Sequence, residues 1–141
     1  MQLVLDTNIV LDVLVFADPQ AQPVSQGLVA GTLRWLATPA MREELARVLA
    51  YPKLAARVVH HRGDADAVLA DFDRHARLVE PAPKAPVTCG DPDDQKFIDL
   101  AVAHGCTLLS KDFEVLRMRK RLAQLHVHAT ARLDVAAVNG Q

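Results

Sequence analysis

The chain has 141 residues, 50% of them hydrophobic, which is enough for one domain with a substantial core and too little for two ordinary domains. With 16 Lys+Arg against 17 Asp+Glu the formal net charge is -1, which excludes a disordered acidic tail and a polycation that coats nucleic acid. The two cysteines, Cys89 and Cys106, have neither CxxC spacing nor a Cys/His framework, so a zinc ribbon or disulfide scaffold is not expected and a reducing compartment fits.

Gln2 to Leu5 is an apolar run suited to a buried strand, and it passes through the polar corner Asp6-Thr7-Asn8 into a helix over Ile9 to Phe16. Asp18-Pro19 breaks that helix, a second is expected over Ser25 to Gly31, and Thr32 to Ala37 reads as a strand. Thr38-Pro39 opens the next helix, with Pro at its favoured first position and Met41, Leu45, Val48 and Leu49 on one stripe. Tyr51-Pro52 closes it. A weaker helix follows over Lys53 to Val59, then an amphipathic one over Asp64 to Ala76 and a short strand over Arg77 to Glu80. Pro81 to Pro92 holds four of the eight prolines and is expected to be an ordered loop. Asp94 to His104 is a helix stopped by Gly105, followed by a strand at Thr107 to Leu109, a helix from Phe113 to Leu122 and a last strand at Leu125 to Ala129. This alternation predicts an α/β fold with a central, mostly parallel sheet and helices on both faces. No apolar run approaches the ~18 residues of a membrane span, so neither anchor nor signal peptide is expected and the cytoplasm is the expected location.

In such a sheet ligands bind outside the carboxyl ends of the strands, so polar residues just after strands draw attention. The acids are lopsided, with 13 Asp among the 17 Asp+Glu; Asp is favoured at caps and turns and is also a compact ligand for hard cations. Asp6 follows the first strand, where a plain helix N-cap is the competing explanation. Glu43 lies four residues before Arg47, as in an exposed ion pair, whereas Glu44 lies three after Met41 and four before Val48, on the core-facing stripe. An unpaired carboxylate there is expensive, so Glu44 needs a cation partner or a cleft. Asp94 sits in line with the buried face of its helix, three residues before Phe97, while Asp99 falls on the other face and reads as solvated. Asp112 repeats the strand-then-acid pattern, with Ser110 beside it.

Four carboxylates converging on one end of a sheet repel unless neutralised. A hard divalent cation, Mg²⁺ or Mn²⁺, is the natural counter-charge, and it supports metal-assisted hydrolysis of a phosphate ester without a Ser, Cys or His nucleophile.

The segments VLDTNIVLDVLVF (residues 4–16), MREELARVLAYPKL (41–54) and DPDDQKFIDLAVAHGCTLLSKDFEVL (91–116) resemble the PIN-domain family, most of all its branch of toxins from toxin–antitoxin pairs. The resemblance spans nearly the whole chain and implies one PIN-like domain over residues 1–141, with a five-stranded parallel sheet and a metal-dependent ribonuclease activity. Carried over motif by motif, the family's acidic quartet falls on Asp6, Glu44, Asp94 and Asp112, both as catalytic residues and as metal ligands, with Asn8 and Ser110 in support. Asp93 adjoins Asp94 and is a second candidate, although the register of Asp94, eleven residues before Gly105, favours Asp94. Ser110-Lys111 stands where the family more often has a threonine. The resemblance also implies an RNA substrate, a cognate antitoxin protein and homodimerisation. The competing reading is a non-catalytic PIN-fold domain that binds a regulatory partner.

No GxGxxG follows a strand and no GxxxxGK[ST] is present, which sets aside dinucleotide and P-loop chemistry. The basic run Arg117, Arg119, Lys120 and Arg121 is either a solvated helix face or a grip on the RNA backbone. His126 and His128 share one face of the expected last strand, a weak metal-site signal. Trp35 is expected in the core.

Overall fold

The computed structural model describes residues 1–134, so the end of the expected 1–141 domain lies outside the described residues. Five strands, β1 (Gln2–Leu5), β2 (Arg34–Ala37), β3 (Ala76–Leu78), β4 (Thr107–Leu109) and β5 (Ala129–Thr130), form one sheet in the order β3-β2-β1-β4-β5. All four neighbouring pairs are parallel. Leu3, Val4 and Leu5 are consecutive and all buried, as are Thr107, Leu108 and Leu109. Because successive strand residues face opposite sides, this burial requires cover on both faces.

The helices supply it: α1 (Thr7–Leu11), continued by a π-helical turn over Asp12–Phe16, then α2 (Gln22–Ala30), α3 (Pro39–Leu49), α4 (Pro52–Arg62), α5 (Ala65–His75), α6 (Gln95–His104), α7 (Phe113–Leu116) and α8 (Arg119–Gln124). Met41, Leu45 and Leu49 carry the buried stripe of α3, and Val68 and Phe72 that of α5. Trp35 is buried on β2 with its ring edge-on to Phe72, centroids 4.9 Å apart. Arg42 does not leave α3 to solvent but clamps Asp73 of α5 through two bonds of 2.7 and 2.9 Å, whereas no ion pair joins Glu43 to Arg47 among the described residues. The π-helical turn leaves carbonyl groups without their usual partners, and the Arg62 guanidinium, held by Asp71, bonds to that of Leu14.

Strand order singles out one end of the sheet. From β1 the chain moves outward to β2 and β3, then returns across the sheet to β4 on the other side of β1. The carboxyl ends of β1 and β4 therefore flank the point where the winding reverses, the usual crevice of an open parallel sheet.

Several boundaries differ from the sequence reading. The expected helix over Phe113 to Leu122 is two helices, because the Met118 amide bonds back only three residues to Val115 and the tightened turn drops the Met118 side chain into the core. The last strand is Ala129–Thr130 alone: His126 takes a positive φ of 65° in the turn that ends α8, and the Val127 amide still bonds to Leu122. His126 and His128 thus share no strand face; with Cys106 they border a shallow cleft of about 290 Å³ at the amino ends of β1 and β4. β3 starts one residue earlier than expected, although the Val79 amide extends its pairing to Ala37. Nor is Asp99 merely solvated. Its Oδ1 accepts from the Ala85 amide at 2.9 Å and from Gln95 Nε2 at 2.7 Å, while Gln95 also binds the Val87 carbonyl and the Cys89 amide. The first turns of α6 hold the proline-rich loop in place.

Candidate metal centre

Asp6 stands at the N-cap position of α1, but its side chain makes no capping bond. Its Oδ2 instead accepts from the Ser110 hydroxyl at 2.7 Å, and the same hydroxyl accepts from the Asp112 amide at 3.0 Å. Ser110, fully buried after β4, therefore ties the acid after β1 to the acid before α7. Asp112 in turn caps α7 by accepting from the Glu114 amide at 2.8 Å. Burial pushes the Asp6 carboxyl above the usual carboxylate range; Ser110 and the Asn8 amide oppose this, and the charges of Asp112 and Glu44 add to it.

Asp94 ends the short 3₁₀ turn Pro92–Asp94 and leads into α6, which points its side chain inward with Phe97 and Ile98. Asp93, its neighbour, is exposed. Asp94 is only 7% exposed, and its Oδ2 is shut away from water with no hydrogen-bond partner. Desolvation, a side-chain hydrogen bond with Asp112, and the charges of Asp6, Asp112 and Asp91 push its carboxyl up to about 8. At neutral pH and without a cation, one carboxyl of this group therefore keeps its proton.

One carboxylate oxygen each from Asp91, Asp94 and Asp112 lie within 4.8 Å of one another, the group of potential metal ligands that comes together among the described residues. Asp91 lies at the end of the proline-rich loop, where no periodicity marks it as a ligand. Its Oδ1 caps the turn by accepting from the Asp93 amide at 2.9 Å, a D-P-D-D signature legible as a turn rather than as a ligand. The adjoining Gly90 lies so close to α7 that a Cβ would stand 2.1 Å from Glu114 Oε2, which brings the loop, and Asp91 with it, beside Asp112.

Glu44 belongs to this end of the sheet but not to the tight trio. Both of its oxygens are engaged, Oε2 by the Thr7 hydroxyl at 2.8 Å and Oε1 by Lys96 Nζ at 3.2 Å. Of the expected supporters, Ser110 is central, whereas Asn8 is exposed. Arg117, Arg119, Lys120 and Arg121 are exposed, but Arg117 stands in the break between α7 and α8 and leans on Glu114 at 3.5 Å. The thiols of Cys89 and Cys106 are free and buried, and burial raises both, Cys106 to about 11, which leaves them without nucleophilic character.

All-oxygen, carboxylate-rich donors suit a hard divalent cation, and the orphaned Asp94 Oδ2 is an atom for which such an ion supplies the missing partner. A parallel α/β sheet with buried acids at its reversal point forms an open-sheet crevice whose oxygen donors suit a hard divalent cation. A family model described as the PIN domain matches residues 2–114, and the chain belongs to that family. Comparison with curated proteins and with solved structures yields no match. Among the described residues no helix is long and apolar enough to cross a membrane.

Proposed function

We propose that this PIN domain is an endoribonuclease that uses Mg²⁺ or Mn²⁺ to hydrolyse RNA phosphodiester bonds, and that it serves as the cytoplasmic, homodimeric toxin of a toxin–antitoxin pair. The observation that carries the nuclease reading is the buried, partnerless Asp94 Oδ2 among three further acids. A domain that kept this fold only to bind a partner has no use for that arrangement, which destabilises the protein in the absence of a cation. Asp91, Asp94 and Asp112 would hold the ion, with Asp6 fixed alongside by Ser110. When bound, the ion supplies a water acidic enough to attack at neutral pH and positive charge for the phosphate. The chain's residues do the rest. Ser110 fixes the mutual orientation of Asp6 and Asp112, and the carboxylates orient the attacking water and take up its proton. The exposed bases of α8 hold phosphates away from the scissile one. Family resemblance alone supports the antitoxin, the dimer and the choice of RNA.

The test is cleavage of single-stranded RNA and DNA of the same sequence by the purified chain, with Mg²⁺, with Mn²⁺ or with EDTA. Cleavage of RNA with either cation and none with EDTA is expected. Cation-independent cleavage, or no cleavage of either polymer together with no cation binding, would leave the partner-binding reading in possession.

A further inference from the structure

The fixed cation beside these acids is a lysine. Lys96 lies in the first turn of α6, where the helix dipole disfavours positive charge and an acid is the stabilising choice. Its position there is explained by its partners: Nζ donates to Glu44 Oε1 at 3.2 Å and to the Asp93 carbonyl at 2.6 Å, and lies 4.9 Å from the Phe97 ring centroid. Two bonds leave the third donor of the ammonium uncommitted, and the side chain is 30% exposed. Glu44 correspondingly has a partner on each oxygen. With Thr7 on one oxygen and Lys96 on the other, it needs no metal ion for its charge to be met, unlike Asp94.

We propose that Lys96 is the second positive charge of the active site: Glu44 and the Asp93 carbonyl hold its ammonium, and its remaining N–H binds a non-bridging oxygen of the scissile phosphate. The centre then takes one divalent cation per chain, on the side of Asp91, Asp94 and Asp112. This inference rests on the nuclease reading above. Charge arithmetic favours it, because an anionic phosphate entering a cluster of acids meets repulsion that a single divalent ion does not offset, and a lysine adds positive charge without another ligand set. Lys96 binds substrate and makes or breaks no bond of its own.

The experiment titrates the full chain with Mn²⁺ calorimetrically and measures RNA cleavage at saturating Mn²⁺ for the wild type, Lys96→Met and Lys96→Arg. One Mn²⁺ per wild-type chain is expected. Lys96→Met should lower kcat at least tenfold with the wild-type affinity of the first Mn²⁺ retained, and free Glu44 to bring in a weaker second ion. Lys96→Arg, which keeps the charge and the donors, should recover most of the loss. Two ions bound to the wild type, or an unchanged kcat in Lys96→Met, would overturn the inference while leaving the nuclease reading standing. Absence of both Mn²⁺ binding and cleavage in the wild type would remove the two together. Should Lys96→Met melt too low to assay, Lys96→Gln and the wild-type stoichiometry decide the matter.

Discussion

Asp94 brings together the chemistry and the stability of this protein. Its carboxyl is pushed up to about 8, so at neutral pH the metal-free protein holds it protonated, and an amide of the same shape mimics that state. Asp94→Asn should therefore leave the metal-free melting temperature at pH 7 unchanged or higher, because burial no longer penalises ionisation. Cation affinity should fall at least tenfold, since an amide brings no charge to the cluster. Paired melting curves and Mn²⁺ titrations check this; a variant that melts lower without cation yet binds Mn²⁺ normally would show that the acid is structural. At this scale the sequence was informative where an acid had a periodic context. Helical phase separates exposed Glu43 from half-buried Glu44, and the same reasoning singles out Asp94 over exposed Asp93. It was silent about Asp91, which sits in a loop with no period to read. It was equally silent about Lys96, whose partners lie on another helix and on the backbone.

Among the elements, those that place the acids are held by contacts far from the acids themselves. Gln95 and Asp99, one turn apart on α6, grip the proline-rich loop at Ala85, Val87 and Cys89 and thereby fix where Asp91 begins its turn. Gln95→Ala removes the contacts to Val87 and Cys89 and touches no ligand. It should weaken Mn²⁺ binding about tenfold, the low end for loss of a support lying outside the ligand set, and lower the melting temperature only slightly. Unchanged Mn²⁺ affinity in a titration would mean the loop is fixed by its prolines alone. The elements themselves were largely legible, because strands buried on both faces and capped helices carry strong local signals. The break between α7 and α8 was not, since Val115, Met118 and Leu122 keep helical spacing and only the tightened turn at Met118 interrupts the helix. That break matters for the basic run. Arg117 is turned toward Glu114, which leaves Arg119, Lys120 and Arg121 on α8 as the exposed bases without an acidic partner among the described residues. Replacing Arg119 and Lys120 with Ala should raise KM for RNA and reduce its salt dependence, with kcat and Mn²⁺ affinity retained. Initial rates at several salt concentrations test it, and a collapse of kcat at saturating RNA would place one of these bases at the reacting phosphate.

For the whole molecule, the sheet's reversal point makes fold stability and cation binding one linked equilibrium. In the unfolded chain the Asp94 carboxyl ionises near the ordinary value of 3.8, and in the folded, metal-free protein it ionises at about 8. Between these values the folded state holds a proton that the unfolded state has released. Stability without cation therefore falls as pH rises through that window, by at most about 1.4 kcal/mol per pH unit for one group. Asp6, also raised by burial, adds in the same direction. A divalent cation at the cluster replaces the proton, so its affinity climbs with pH up to about 8 and its stabilising effect climbs with it. Contributions to stability from groups outside the cluster are common to both conditions. The informative quantity is thus the difference between melting temperatures with saturating Mg²⁺ and with EDTA. That difference should be small at pH 5 and widen steadily toward pH 8, and Asp94→Asn should abolish the widening. A gap of equal size at pH 5 and pH 8 would mean that cation binding displaces no proton, and that the partnerless oxygen of Asp94 is not where the ion binds.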